Sequence, residues 1–378
     1  MPLNGRPGEK TVFSSLDLAI ILYSSPLPPS ATLKRLEKSS DIGGGDGILE
    51  IARRDELSGT REGLRNYIEN KLSELRVRVE TTEELIQQLG ELMMLFTVSL
   101  PLIVVGLVFM VSPGKAAPLL VAFSAIGGLV GAAAYAKIPV ELRFPPPGRR
   151  ALAALSLMAV PLLLEAGGLI RVGEEVFLLV VAASAPSAAL TYREAREILG
   201  ELEGDRRLLV EALRCPFHIF RCLGLDAFEE PVRLRVSRVL REILMLYGRF
   251  GRDEEGLRWL VEYFESYRRL LGDVRARTML SLLNGIVGVS VLALGLSMVS
   301  SVFSSLPAVS VAGLSISPVS FARVKPYLDL VLAVNSLSYS VATASMREGN
   351  PLYFPLYLPV MLLATYAGLV LGPLLAPR

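Results

Sequence analysis

Four uncharged apolar stretches constrain this chain more than any other feature of its sequence. A helix needs about 20 residues to cross the hydrocarbon core of a bilayer, which is about 30 Å thick. Stretches of this length that contain no charged side chain are typical of membrane-spanning helices. The four stretches are 92–111, 116–136, 279–305 and 355–375.

Three weaker stretches raise the predicted number of spans to about seven. Residues 151–170 and 176–192 form a predicted hairpin of two helices, and Glu165 lies inside the first of them. The stretch 324–346 is more polar, because it contains Asn335 and has charged residues near its start. The predicted fold class is therefore all-α, a polytopic helical membrane protein.

Charged residues are gathered into separate segments of the chain. Hydrophobic residues make up 52% of the 378 positions and charged residues 20%, and the charged residues concentrate in 34–91, 137–150 and 193–277. This segregation indicates membrane spans that alternate with soluble helical lobes. The net charge of +2 gives no overall sign of nucleic-acid binding.

Lysine and arginine in the short loops predict the orientation in the cell membrane. The loop 137–150 holds four of them, more than the neighbouring short loops, so we expect it to be cytoplasmic. The N-terminus and both charged lobes then lie in the cytoplasm as well. The predicted division is a first lobe over 1–91, four spans over 92–192, a second lobe over 193–277 and three spans over 278–378.

The two predicted lobes end in similar segments. Residues 59–65 read GTREGLR, and residues 251–258 read GRDEEGLR. Each segment leads into a charged amphipathic helix that begins within it, over 62–91 and 255–277. Both helices have apolar residues three and four positions apart. A long apolar span follows each helix, so the repeated order predicts a duplicated module.

Three stretches are similar to a known family. They are GTREGLRNYIENKLSELRVRVETTEELIQQLGELMMLFTVSLPLIVVGLVFMV in the first half, GRFGRDEEGLRWLVEYFESYRRLLGDVRARTMLSLLNGIVGVSVLALGLSMV in the second, and NSLSYSVATASMREGNPLYFPLYLPVMLLATYAGL near the end. The first two join a turn, a charged helix and a span. The third resembles two closing spans around a cytoplasmic Arg-Glu-Gly loop. Together they resemble the archaeal branch of the type II secretion F-domain family, the membrane platform proteins of type IV pilus-like machines.

The resemblance implies a scaffold with no catalytic residues and no cofactor. Such a protein would hold a hexameric secretion ATPase against the membrane, pass its motion to pilin-like subunits in the bilayer, and form a homo-oligomer, a dimer. The two charged helices are then docking surfaces, although they also fit solvated faces that anchor the spans. The candidate docking residues are Arg65, Arg76, Arg258, Trp259, Glu262, Tyr263 and Arg269.

Other residues leave alternatives open. Cys215, His218 and Cys222 would share one side of a helix, where they fit either a metal site or ordinary buried side chains, and two cysteines give no sign of a disulfide framework. Glu165 fits either an ion path or a pair with Arg171 near the outer interface. The rival function is a seven-span small-solute transporter.

Overall fold

The structure is a computed structural model that describes most of the chain. The chain divides into two compact units, each formed by two separate stretches: Met1–Val79 with Arg196–Asp273 is unit 1, and Glu80–Ala195 with Val274–Arg378 is unit 2. The described residues are 11–42, 46–111, 113–157, 160–161, 175–224, 232–251, 253–305, 309–311, 314–316 and 325–375.

Unit 1 contains two consecutive sets of helices. The first set comprises β1 (Thr11–Phe13), α1 (Ser15–Ser24), α2 (Pro29–Ser39), β2 (Ser40–Ile42), α3 (Asp46–Ser58) and the start of α4 (Glu62–Met94). The second set comprises the end of α8 (Val176–Arg214), then α9 (Ile219–Leu223), α10 (Arg235–Phe250) and most of α11 (Glu254–Arg277). The strands β1 and β2 pair in parallel over three residues.

Helix α1 is almost completely buried in unit 1. Its sequence SLDLAIILYS is apolar on nearly every face, so it is stable only inside a core. A capping box starts the helix, because the Ser14 side chain accepts from the Asp17 N–H and the Asp17 carboxylate accepts from the Ser14 N–H. Helix α1 packs against α10, and Asp17 forms an ion pair with Arg235 of that helix. The two helical sets therefore share one core.

Unit 2 contains the apolar helices. It begins with the end of α4, and its last helix is α14 (Leu358–Leu375). Between them lie a π-helical turn (Leu95–Ser99), α5 (Leu100–Val111), α6 (Pro113–Lys137), a 3-10 turn (Val140–Leu142), α7 (Arg149–Ala153), the start of α8, α12 (Met279–Ser305), β3 (Val309–Val311), β4 (Leu314–Ile316), α13 (Lys325–Arg347) and a 3-10 turn (Pro351–Leu356). The antiparallel pair β3 and β4, like β1 and β2, is a small departure from the purely helical prediction.

Glycines allow the helices of unit 2 to approach one another closely. Helix α13 packs against α6, where a Cβ added to Gly128 would collide with Ser338 and one added to Gly131 would collide with Ala342. Helix α14 packs against α12, where a Cβ on Gly368 would lie 2.6 Å from the Ser290 carbonyl oxygen. Small residues at such crossings are the usual basis of helix association in lipid.

Five described helices are long and apolar enough to cross a membrane. Helical structure with several candidate spans is therefore confirmed. The predicted span 151–170 lies largely outside the described residues, and 324–346 forms α13, which is not among the five, so the count of seven stays a prediction. The five lie within Glu62–Val105, Pro118–Lys137, Val176–Arg214, Glu254–Val302 and Leu358–Leu375.

Candidate functional site

The charged face of α11 carries three of the predicted docking residues. Arg258, Glu262 and Arg269 are all exposed, and their spacing of four and seven places them on one side of the helix. Arg258 Nη2 lies 2.7 Å from Glu254 Oε1 one turn earlier, at the N-terminal end of α11. The face is thus a stripe of mixed charge open to solvent.

The corresponding face of α4 has the same character. Arg65 Nε lies 2.8 Å from Glu69 Oε1, and Arg76 is exposed. Between them Glu74 binds two cations, with Lys71 Nζ 2.6 Å from its Oε2 and Arg78 in contact with its Oε1. Hydrogen bonds from Lys71 and Arg78 lower the pKa of Glu74.

The two aromatic docking candidates belong instead to a cluster inside unit 1. Trp259 packs edge-on against Tyr23 of α1, with ring centroids 4.5 Å apart, and stacks on Tyr263 at 5.7 Å. Tyr263 is only 7% exposed, whereas Trp259 is partly exposed. The structure therefore separates the predicted set into exposed charges and an aromatic cluster that holds α11 on α1.

Ion pairs fix α11 against α8 on the side next to the charged face. Arg206 Nε of α8 lies 2.6 Å from Glu265 Oε1 of α11, and Arg268 Nη1 of α11 lies 2.8 Å from Glu203 Oε2 of α8. The hydrogen bond from Arg206 lowers the pKa of Glu265. These reciprocal pairs orient the exposed stripe.

The glycine of each EGLR segment has the same structural role in the two helical sets. A Cβ added to Gly63 would lie 2.6 Å from Asp55 Oδ1 at the end of α3, and one added to Gly256 would collide with the Tyr247 hydroxyl at the end of α10. The preceding helices also end alike, at Gly59 and Gly251, both of which have positive φ. Each glycine therefore lets a long charged helix start close against its predecessor.

The cysteines form a structure that the sequence analysis did not anticipate. Cys215 and Cys222 are joined by a disulfide with Cα atoms 6.1 Å apart, a pairing that neither the predicted metal site nor the interpretation as ordinary buried side chains includes. Helix α8 ends at Arg214, Pro216 follows, and α9 starts at Ile219. The three candidate ligands therefore do not lie on one continuous helix, and the described residues contain no cluster of His, Cys, Asp and Glu suited to a metal ion.

A buried carboxylate occupies the Arg-Glu-Gly loop after α13. Glu348 is 1% exposed, and both of its carboxylate oxygens lie 2.7 Å from the Tyr357 hydroxyl, which donates to them. Arg275 Nη2, in the last turn of α11, lies 3.6 Å from Oε1, and Arg347 Nε lies 4.0 Å from it. Burial raises the pKa of Glu348 to about 7 even though these two cations oppose the shift.

The same loop is bound to the basic loop 137–150. The Phe144 N–H donates to the Glu348 carbonyl oxygen at 2.9 Å, and the Asn350 side chain donates to the Phe144 carbonyl oxygen at 3.2 Å. Arg275 lies over the Phe144 ring, 5.5 Å from its centroid. Gly349 has a φ of 61° and packs against Arg143. The two loops that the sequence analysis assigns to the cytoplasm thus lie together, at the same end of the helices of unit 2.

Helix α13 has a polar stripe that sequence analysis underestimated. The Thr97 hydroxyl in the π-helical turn lies 2.9 Å from the Tyr339 hydroxyl, and the Ser336 hydroxyl lies 2.8 Å from that of Thr365 on α14. Asn335 is fully buried, and neither atom of its amide has a hydrogen-bond partner among the described residues. A signal for this stripe was present in the serines, Asn335 and Tyr339 of the segment.

No protein-family model, curated protein or solved structure matches this chain. The site residues therefore rest on geometry and on the sequence pattern. Glu165, the acid predicted inside the span 151–170, lies outside the described residues.

Proposed function

We propose that the chain is the membrane platform of a type IV pilus-like or type II secretion machine, without catalysis of its own. The observation that carries the proposal is the exposed stripe Arg258, Glu262 and Arg269 on a helix that leads directly into an apolar span. Only Thr278 separates α11 from α12, and the region Glu254–Val302 reads as one long helix. In this proposal a partner that binds the stripe acts on a segment that continues along the chain into the apolar helix α12.

The matched construction of the two helical sets of unit 1 supports a duplicated module. Each set has a proline turn, a further helix, a positive-φ glycine and a closely packed EGLR glycine, in the same order. A charged helix and an apolar segment follow in both. In this proposal both charged helices face the cytoplasm and contact a hexameric secretion ATPase.

The remaining parts of the proposal follow from the membrane segments. Helix α13 and the region 151–170 add two spans to the five apolar helices, which gives seven in all. The basic loop 137–150 marks the cytoplasmic side of the cell membrane. Pilin-like subunits meet the spans within the bilayer, and the working form is a homo-oligomer, a dimer. The contact between loop 137–150 and Glu348 supports placing both loops on one side.

Charge reversal on α11 tests the docking role. In the full chain, Arg258→Glu, Glu262→Arg and Arg269→Glu together should abolish co-purification with the hexameric secretion ATPase of the same cell and stop filament assembly, because the stripe loses its pattern of charge. A matched control reverses Glu50, Arg53 and Arg54 of α3, which are also exposed and change the net charge equally. Binding that survives the first variant, or is lost equally in the control, would contradict the proposal.

A small-solute transporter is the second candidate, and the polar stripe on α13 favours it. Transporters place polar groups near the middle of the bilayer, and Asn335, Tyr339 and Thr97 are such groups in unit 2. Solute flux into proteoliposomes that is lost in Asn335→Leu would support transport. A sealed bilayer with no flux for sugars, amino acids or ions would leave the platform as the better account.

A further inference from the structure

The two helical sets of unit 1 close the same turn in two different ways. In the first set α1 ends at Ser24, and the Ser25 hydroxyl lies 2.8 Å from the Thr32 hydroxyl seven residues later. In the second set α8 ends at Arg214, and Cys215 is bonded to Cys222, also seven residues later. A proline follows Ser25 and Cys215 alike. A disulfide therefore stands where the first set has a hydrogen bond.

The two sulfur atoms have unequal access to solvent. Cys215 is 3% exposed, whereas Cys222 is on the exposed surface of α9. Arg214 and Arg221, both exposed, are their neighbours in sequence. A thiol that approaches from solution therefore meets the Cys222 sulfur first, and nearby positive charge stabilises thiolates.

We propose that Cys215–Cys222 is a thiol–disulfide exchange site that locks the second helical set of unit 1. An external thiolate attacks the Cys222 sulfur, so that a mixed disulfide forms at Cys222 and the Cys215 sulfur leaves with the electron pair. A second external thiolate then attacks the external sulfur of the mixed disulfide. The products are an external disulfide and two reduced cysteines, and a disulfide reagent reverses the sequence by accepting the same two electrons.

The disulfide constrains the short helix α9, which packs against Gly248 of α10. Phe220 of α9 packs against Gly248 of α10, where an added Cβ would collide with Cζ of the ring. The same short loop presents Phe217, 63% exposed, with Arg221 over its ring at 5.5 Å. Reduction therefore releases the loop that positions Phe220. The hydrogen bond between Ser25 and Thr32 in the first set does not depend on redox conditions. This inference does not depend on the platform function.

Thiol trapping on the full-length protein tests the proposal. Membranes are quenched in acid and labelled with maleimide-linked polyethylene glycol under denaturing conditions. We expect no mass shift without reductant, and two adducts after the folded protein has been treated with dithiothreitol. Two adducts in untreated membranes would overturn the proposal, and so would a bond that dithiothreitol reduces only after unfolding.

Single variants test the predicted direction of attack. In folded Cys215→Ser the remaining Cys222 should react with maleimide at least about tenfold faster than the remaining Cys215 does in folded Cys222→Ser, because access governs the rate. Equal rates would refute attack at Cys222. The rates are compared with each variant unfolded, where the two cysteines should react alike.

Transfer of the bond tests whether the two turns are equivalent. On the background Cys215→Ser with Cys222→Thr, the pair Ser25→Cys and Thr32→Cys should form a disulfide that blocks both maleimide adducts until reduction. Two adducts before reduction would show that the first turn does not share the geometry of the second. The disulfide would then not be the equivalent of the Ser25–Thr32 hydrogen bond. Circular dichroism of each variant confirms that the chain has folded.

Discussion

The carboxylate of Glu348 should make the stability of the protein depend on pH in an unusual direction. It is buried beside Tyr357, Arg275 and Arg347, and burial raises its pKa to about 7 from the ordinary value of 4.5. Between these pH values the folded protein retains a proton that the unfolded chain has lost. The contribution of this group to stability is therefore complete below pH 4.5 and is lost as the pH rises to 7.

The size of the effect follows from the same two values. A gap from 4.5 to about 7 corresponds to about 3 kcal/mol of unfolding free energy. Glu348→Gln removes the titration but keeps an oxygen that can accept from the Tyr357 hydroxyl. The variant also leaves Arg275 and Arg347 without a carboxylate, which costs stability at every pH. Relative to wild type, the variant should therefore gain most of this amount, about 2 to 3 kcal/mol, between pH 5 and pH 8, whatever its starting stability.

Thermal melts of the purified protein in detergent, followed by circular dichroism at several pH values, measure this difference. The melting temperature of Glu348→Gln minus that of wild type should rise by several degrees as the pH increases. Glu84→Gln is the control, because Glu84 is an exposed carboxylate on α4 and its loss removes the same charge. Parallel pH profiles for Glu348→Gln and wild type would show that Glu348 is ionised throughout, and the reasoning from burial would be refuted.

Two further substitutions test the packing of each unit. Gly128→Val should lower the melting temperature of the detergent-solubilised protein sharply, because its side chain would collide with Ser338, whereas Gly200→Val at an open helix position should change it little. Asp55→Ala should cost about 1 to 2 kcal/mol in denaturant unfolding, because Asp55 accepts hydrogen bonds from the Gly63 and Leu64 N–H groups at 3.1 and 2.8 Å. A cost below about 0.3 kcal/mol would mean that water replaces this cap.

The apolar helices could be predicted from the sequence because length and lack of charge decide them. Five of the predicted spans coincide with the five apolar helices of the structure. Helix α13 was harder to interpret, because its serines and Asn335 lower its apolarity although they are buried against neighbouring helices. Hydropathy records each side chain alone, whereas the pairs Thr97 with Tyr339 and Ser336 with Thr365 exist only after the helices have packed.

The docking residues show which part of a site a sequence can specify. The apolar periodicity of α11 predicts an opposite charged face, and Arg258, Glu262 and Arg269 are exposed in the structure. The same periodicity places Tyr263 on the apolar side, three residues after Leu260 and four before Tyr267. It could not show that Trp259 contacts Tyr23, because Tyr23 lies on a distant helix. Glu348 cannot be singled out from the sequence, since nothing local indicates that Tyr357 and Arg275 enclose its carboxylate.

The cysteine pair marks a different limit, because the sequence held a usable signal. A spacing of seven places two residues on one face of an unbroken helix, which is the basis for a metal site at Cys215, His218 and Cys222. Pro216 contradicts an unbroken helix, since proline disfavours helical backbone in the residue before it and lacks the N–H that a helix interior needs. Because α8 ends at Arg214 and the chain turns before α9, the same spacing brings Cys222 back to Cys215.

The two helical sets of unit 1 also resemble each other at positions where their residues differ. Identical residues include the EGLR glycines, where a Cβ would lie within 3 Å of Asp55 or Tyr247, and the proline of each turn. At the proline turn the two sets use different residue types, Ser25 with Thr32 and Cys215 with Cys222. Both pairs join residues seven positions apart, across the turn that follows a helix. A hydrogen bond and a disulfide meet the same geometric demand with different chemistry. The geometry of the turn thus fixes the spacing of the two residues but not their types. A repeat of this kind is better detected from the spacing of such pairs and the position of turns than from sequence identity.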